Sequence, residues 1–129
     1  MNSLLFSFKS KIAKILYHAY SIKIGAWRKN ILRFVKWLEG GEIYSTTLRQ
    51  IFAFYHSIHI GMYSYGGCFS TENILPMTEI GRYCSFARNV CIYTRNHPYK
   101  HKSTHPFFYN SKLRIVEKDL IPTSKIVIG

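Results

Sequence analysis

The chain has 129 residues, which is enough for one domain with its own hydrophobic core. Lys and Arg total 18 against 6 Asp and Glu, so the formal net charge of +12 favours anionic partners. No uncharged run resembles the ~20 apolar residues of a membrane span, and Lys9, Lys11 and Lys14 interrupt the centre of any signal peptide, which indicates a cytoplasmic protein. The three cysteines have no CxxC spacing, which favours reduced thiols over a disulfide or a zinc site.

The first 38 residues form a basic segment that predicts two amphipathic helices. This segment carries eight Lys or Arg and no Asp or Glu. Apolar residues recur at helical spacing over residues 3–22 and again over residues 27–38, with Gly25 as the predicted break. Two alternatives remain: the helices pack on the rest of the chain or on a neighbouring subunit, or they lie on an anionic membrane. In the second alternative, residues 1–38 would bind the protein peripherally to the inner membrane surface.

A short helix is predicted next, after a glycine turn at residues 40–41. Residues 45–47 are all N-cap candidates, and Thr47 and Gln50 have capping-box spacing. The apolar face of this helix consists of Leu48, Ile51, Phe52 and Tyr55. We expect the helix to cover the first strand that follows, because an exposed apolar strand edge invites aggregation. Residues 1–57 are therefore predicted to be a basic helical arm followed by a capping helix.

Residues 80–97 consist of three consecutive six-residue units, IGRYCS, FARNVC and IYTRNH. Each unit opens with an aliphatic or aromatic side chain, and residues 60–65 fit the same template. Such hexads are typical of a β-helix, in which each unit supplies one short parallel strand and one corner. The predicted inward-facing residues are Ile60, Ile80, Phe86, Val90 and Ile92. Residues 58–129 are thus predicted to form a partial β-helix, interrupted by an excursion loop at residues 98–110.

The end of the last regular hexad carries the predicted general base, His97. A histidine held at a strand end can accept a proton from a hydroxyl near neutral pH. The alternative is that His97 only bonds a backbone carbonyl at the corner. His97, His101 and His105 also have a spacing that would suit a metal site on a helix, but prolines at 98 and 106 argue against a helix there. We therefore expect no metal.

The hexads run into the pair Asn96-His97, and the pentapeptide STHPF follows at residues 103–107. This combination resembles the hexapeptide-repeat acyltransferases of the left-handed β-helix class, in the branch that contains xenobiotic and O-antigen O-acetyltransferases. The upstream segments EGGEIYS and IGMYSYGG are similar to that branch too, so the resemblance covers about residues 39–129. It implies a mainly β fold, a left-handed parallel β-helix of hexapeptide repeats preceded by the N-terminal amphipathic helices.

The resemblance also implies an acetyl-CoA-dependent O-acetyltransferase that works as a homotrimer, with acetyl-CoA in the cleft between neighbouring subunits. His97 would deprotonate the hydroxyl of a sugar, an antibiotic or a similar small acceptor, and the alkoxide would attack the thioester carbonyl. The implied substrate-binding residues are Asn96, Tyr99, Thr104, His105 and Phe107. Members of the family continue with further hexads beyond the segment corresponding to residues 126–129. We therefore expect a truncated chain with weak or no acetyl-CoA binding and reduced or no activity.

A function of a different class is the alternative: non-catalytic binding of an anionic membrane or a nucleic acid through the basic surface. Aromatic residues between Lys and Arg can stack on bases while the cations neutralise phosphates. In the N-terminal arm, however, the aromatic residues fall on the apolar helical stripes, and the sequence contains no recognised nucleic-acid module. We therefore expect no nucleic-acid partner.

Overall fold

A computed structural model describes residues 10–129. Three α-helices come first, and short strands in two small parallel sheets follow. The helices are α1 (Lys11–Ala19), α2 (Gly25–Leu38) and α3 (Thr46–His56), and the strands are β1 (Ile58–Ile60), β2 (Tyr65–Gly66), β3 (Thr78–Ile80), β4 (Ser85–Phe86) and β5 (Ile126–Ile128). Single 3₁₀ turns lie at Gly67–Phe69, Pro106–Phe108 and Ser111–Leu113. None of the helices described here is long and apolar enough to cross a membrane.

The strands stack in parallel, one above the next. The larger sheet has the order β1-β3-β5, and the smaller sheet pairs β2 with β4. Where the chain leaves β1 and β3, the two backbones touch: a Cβ on Gly61 would lie 2.5 Å from the carbonyl carbon of Gly81. Only glycine fits at such a close approach. The stacked corners therefore depend on glycine at position 61.

The prediction of a mainly β, left-handed parallel β-helix is wrong. Helical residues make up about 36% and strand residues about 14% of the described chain. The hexads pair over few residues: β3 ends at Ile80, the first residue of the first hexad, and β4 spans only the boundary between the first two hexads. The third hexad has isolated bridges, from Ile92 to Ile74 and from Arg95 to Thr123. Of the predicted inward-facing residues, Ile60, Ile80 and Ile92 are buried, whereas Phe86 and Val90 are only half-buried.

The helices begin where serine caps are available. Ser10 accepts a hydrogen bond from the backbone N–H of Ala13 at the start of α1, and Ser45 accepts one from Leu48 at the start of α3. The helix predicted from the capping-box spacing is therefore present as α3. The predicted break at Gly25 is instead the first residue of α2. The part of the first predicted helix at residues 3–9 lies outside the described residues.

The core is formed where the three helices meet the strands. α3 packs on β1, and α1 and α2 pack on α3. Helical core residues are Tyr20, Ile31, Val35, Leu48, Ile51 and Phe52, and those from strands and connections include Ile58, Ile60, Ile74, Ile80 and Ile92. α3 thus packs against β1, the first strand of the larger sheet.

A buried arginine ties α3 to the strands. Arg49 is 2% exposed, and its guanidinium donates hydrogen bonds to four backbone carbonyls, those of Glu42, Ser45, Gly61 and Ser64. The N–O distances are 2.6 to 3.0 Å. A planar group with five donors can satisfy several carbonyls at once, which a lysine cannot do in the same geometry. Arg49 therefore fixes the turns on both sides of α3 and β1.

A buried carboxylate holds the other side of this junction. Glu39 is 5% exposed and accepts hydrogen bonds from the hydroxyls of Ser45 and Thr47 and from the backbone N–H of Thr47. A negative charge at the N-terminus of α3 also interacts favourably with the helix dipole. Glu39 thus links the end of α2 to the start of α3.

Candidate active site

An open cleft of about 510 Å³ surrounds the predicted general base. One wall consists of the third hexad and Tyr99, which follows it, and the other wall comes from the segment that precedes β5. The lining residues are Tyr93, Thr94, Arg95, Asn96, His97, Tyr99, Pro122 and Ser124. The cleft is therefore built from two stretches that are far apart in the sequence.

Backbone hydrogen bonds hold the two walls together. Arg95 forms an isolated antiparallel bridge with Thr123, and the N–H of Ser124 donates to the carbonyl of Thr94 at 2.9 Å. Thr94 itself is 5% exposed, so this wall rests on the buried part of the chain. The bridge places Ser124 and Pro122 opposite His97.

His97 is exposed and lines the cleft with its imidazole. Its backbone N–H donates to the side-chain carbonyl of Asn96 at 2.9 Å. The ring meets the buried ring of Tyr109 edge-on, with centroids 5.7 Å apart and an interplanar angle of 68°. Within residues 10–129 the imidazole nitrogens have no hydrogen-bond partner, so the ring is positioned by packing and both nitrogens stay available to a ligand.

The structure brings Asn96, His97 and Tyr99 together in this cleft. The other three predicted binding residues, Thr104, His105 and Phe107, line neither this cleft nor the one beside it. They belong to a separate turn, in which the Nδ1 of His105 accepts a hydrogen bond from the N–H of Phe107 and the two rings pack at 4.5 Å. These contacts are local to the turn, and the three residues are not part of the cleft lining.

A second open cleft of about 510 Å³ adjoins the first. Tyr99 and Pro122 line both clefts, and His101 and Lys100 line the second. The two clefts together form a groove that contains the cations Arg95 and Lys100. This charge suits a ligand that carries phosphate or carboxylate groups.

The three histidines of the predicted metal alternative do not converge. His97 lines the first cleft, His101 lines the second, and His105 lies in the separate turn. Across the described part of the chain there is no group of three or more His, Cys, Asp or Glu side chains that could hold a metal ion.

A carboxylate stabilises the segment between the two walls. Asp119 accepts hydrogen bonds from the backbone N–H and the hydroxyl of Ser111, both at 2.8 Å. These bonds hold the pKa of the Asp119 carboxyl below its usual value, and the charges of Lys112 and Arg95 act in the same direction. Asp119 thus stays ionised at neutral pH and ties the return segment to the turn that follows Tyr109.

Sequence reasoning missed Arg95, Ser124 and Tyr109 as parts of this site. Arg95 directly precedes the Asn96-His97 pair and could have been proposed from that position. Ser124 and Tyr109 gave no sequence signal, because only the folded chain brings them next to His97. Comparisons with protein-family models, with curated proteins and with solved structures find no match to this chain.

Proposed function

We propose that this cleft transfers an acyl group from acetyl-CoA to a hydroxyl of a small acceptor such as a sugar or an antibiotic. The observation that carries the proposal is the exposed imidazole of His97, which lines an open cleft and has no hydrogen-bond partner on its ring nitrogens within the described chain. The motif of Asn96-His97 followed by STHPF supports the same chemistry. The acceptor binds on one side of Tyr99 and the acyl donor on the other.

The proposed reaction needs one general base. A ring nitrogen of His97 accepts the proton of the acceptor hydroxyl while the oxygen attacks the thioester carbonyl. The new C–O bond gives a tetrahedral intermediate, the C–S bond then breaks, and the imidazolium returns its proton to the departing thiolate. Acetyl-CoA supplies the activated acyl group, and the protein supplies the base and the position of both reactants.

The neighbouring side chains provide the remaining functions. Asn96 and Ser124 carry hydrogen-bond donors at the cleft wall, which suit the acceptor or the developing oxyanion. Arg95 and Lys100 provide positive charge for the phosphates of the acyl donor. Tyr109 keeps the His97 ring in place through its edge-on contact. The donor set of the groove therefore fits a large anionic thioester.

The experiment measures release of free CoA thiol from acetyl-CoA by the full chain, with a panel of sugar and aminocyclitol hydroxyl acceptors. His97→Ala is expected to lower the rate about 10²–10⁴-fold, as is typical for loss of a general base. His59→Ala is the matched control, because His59 is also exposed but lies on β1, outside both clefts. The control is expected to keep the rate of the unmodified chain.

Two results would overturn the proposal. The first is turnover in His97→Ala above about a third of the original rate, which would remove the base from the mechanism. The second is the lack of both thiol release and acetyl-CoA binding, measured by titration calorimetry up to about millimolar concentration, a range that covers ordinary Michaelis constants.

A further inference from the structure

The helices α1 and α2 expose an unusual number of large apolar side chains. Five of them form what we call the apolar strip, and their exposed fractions are 51% for Ile12, 66% for Ile15, 45% for Trp27, 44% for Phe34 and 75% for Trp37. Single exposed apolar residues are normal on a protein surface, but a contiguous group indicates a binding surface.

Trp27 links the two helices within the apolar strip. Its indole N–H donates to the carbonyl of Ala19 at 3.0 Å, which places the ring beside the end of α1. Ile15 and Ile12 precede Ala19 by about one and two helical turns, so they lie on the same side of α1. On α2, Phe34 follows Trp27 by about two turns, and its ring stacks on Trp37 with centroids 5.5 Å apart.

The apolar strip is separate from the faces that these helices bury. α1 contributes Ala13 and Tyr20 to the buried residues, and α2 contributes Ile31 and Val35. Packing within the described chain therefore leaves the apolar strip uncovered. The connection between the helices extends the apolar surface, since Ile22 is 47% and Ile24 60% exposed.

Positive charge surrounds this surface. Residues 10–38 contain seven Lys or Arg and no Asp or Glu. Lys29 and Lys36 have carboxylate partners from other parts of the chain, Glu72 and Glu42. Four other cations have no ion-pair partner in the described chain: Lys11, Lys14, Lys23 and Arg33. An anionic partner would complement them.

We propose that α1 and α2 dock on the surface of an anionic lipid bilayer. The apolar strip enters the boundary between headgroups and acyl chains, and the surrounding Lys and Arg contact the lipid phosphates and carboxylates. Tryptophan suits this depth because its ring is apolar and its N–H is polar. No helix of the described chain could span the bilayer, so the contact is parallel to the surface.

Charge and shape favour a bilayer over the other possible occupants. A second copy of this surface would bring two sets of unpaired cations face to face, which is unfavourable. A nucleic acid would satisfy the cations and could stack on Trp27, but it offers no apolar environment for Ile12 and Ile15. An anionic lipid surface accommodates both the aliphatic side chains and the charges.

Intrinsic fluorescence gives a direct test, because Trp27 and Trp37 are the only two tryptophans of the sequence. The full chain is titrated with phosphatidylcholine vesicles that contain about one third phosphatidylserine, and with pure phosphatidylcholine vesicles. The anionic vesicles are expected to shift the tryptophan emission maximum to shorter wavelength in a saturable way. Lipids brominated on the acyl chain are expected to quench this fluorescence. Binding should weaken as salt is added, because salt screens the contribution of the cations.

Variants locate the contact, with vesicle co-sedimentation as the readout. Trp37→Ser and Ile15→Ser are each expected to weaken partitioning about tenfold, because each removes apolar area from the bilayer. Lys14→Gln is expected to weaken it about fivefold on anionic vesicles alone. Ile115→Ser is the matched control: Ile115 is 61% exposed, close to the 66% of Ile15, but lies in the segment before β5, and this variant should bind like the unmodified chain.

Three outcomes would overturn the inference. One is no binding to the anionic vesicles, and another is an equal loss in Ile115→Ser and Ile15→Ser. The third is tight, salt-dependent binding of single-stranded RNA that Lys14→Gln weakens, without vesicle binding, which would identify a nucleic-acid surface instead. His97→Ala should bind vesicles normally, so failure of the proposed catalysis and failure of membrane docking are distinguishable.

Discussion

Two regions of the molecule differ in how they are held. At the junction of α3 with β1, nearly every side chain from Ser45 to Phe52 is buried. Arg49 and Glu39 form hydrogen bonds with several polar groups there, whereas the Oγ1 of Thr46 and the Oε1 of Gln50 are buried without a hydrogen-bond partner within residues 10–129. In the region that carries the cleft, residues 93–125, most side chains are exposed, and a few backbone hydrogen bonds and turns define the shape. Stability is therefore concentrated in the helical junction, whereas the candidate chemistry lies in the open region, where substitutions cost little stability.

The largest expected effect comes from removing a large buried side chain at the junction of α3 with β1. Phe52 is fully buried and packs edge-on against Phe69, with centroids 5.3 Å apart. Phe52→Ala should lower the free energy of unfolding by about 3–5 kcal/mol, because it leaves a cavity. Urea denaturation followed by circular dichroism measures the change. Phe108→Ala, in the open region and 41% exposed, is the control and should cost less than about 1 kcal/mol. Equal losses in the two variants would contradict the comparison.

The next largest effect comes from removing hydrogen bonds to buried polar groups at the same junction. Arg49→Met keeps much of the side-chain volume but removes the guanidinium donor from four carbonyls, of which that of Gly61 keeps a hydrogen bond from the backbone N–H of Ser64. The loss in free energy of unfolding should be about 3 kcal/mol, since each buried unpaired carbonyl is costly and water can reach some of them. Arg88→Met serves as control, because Arg88 is exposed. A change below about 0.5 kcal/mol in Arg49→Met would show that water replaces the guanidinium.

The smallest effect is a pH dependence at the contact between α1 and α3. The Nε2 of His56 lies 2.8 Å from the hydroxyl of Tyr20, and burial lowers the pKa of His56 from its usual 6.5, with a smaller contribution from the charge of Arg28. The unfolded chain then binds the proton more readily than the folded chain. Stability contributed by the neutral imidazole is present above pH 6.5 and is lost as the pH falls below that value, through the lower folded pKa.

Unfolding midpoints in urea at about pH 7.5 and about pH 5.5 measure this loss, which should be less than about 1 kcal/mol because the ring is only half-buried. In His56→Phe, the difference between the two pH values should shrink relative to the unmodified chain. An unchanged difference would assign the pH dependence to other groups.

Periodicity in the sequence located the buried junction better than the open region. The helical spacing of Leu48, Ile51 and Phe52 gave α3, and the alternation of Ile58, His59 and Ile60 gave a strand that buries its two isoleucines. These patterns are local, so each residue carries its own signal. The hexads led to a wrong prediction of the fold. An apolar residue at every sixth position indicates where a side chain points into the core, but it does not determine how many residues pair with a neighbouring strand.

The candidate site was predictable only in part for a similar reason. Asn96, His97 and Tyr99 are close in sequence and remain close in the cleft. Thr104, His105 and Phe107 are also near in sequence, but their turn forms its own local hydrogen bonds and does not line the cleft. The second wall of the cleft follows from one bridge between Arg95 and Thr123, and no composition or spacing rule anticipates such a long-range pairing.

The strand order β1-β3-β5 also has a consequence for the order of folding. β1 and β3 are separated by fewer than 20 residues, whereas about 45 residues separate β3 from β5. Closing the longer loop costs about 1 kcal/mol more in chain entropy, so the β3–β5 ladder should form later and open more often than the β1–β3 ladder. Ser124 stands two residues before β5, so the far wall of the cleft is assembled only when this last pairing is made.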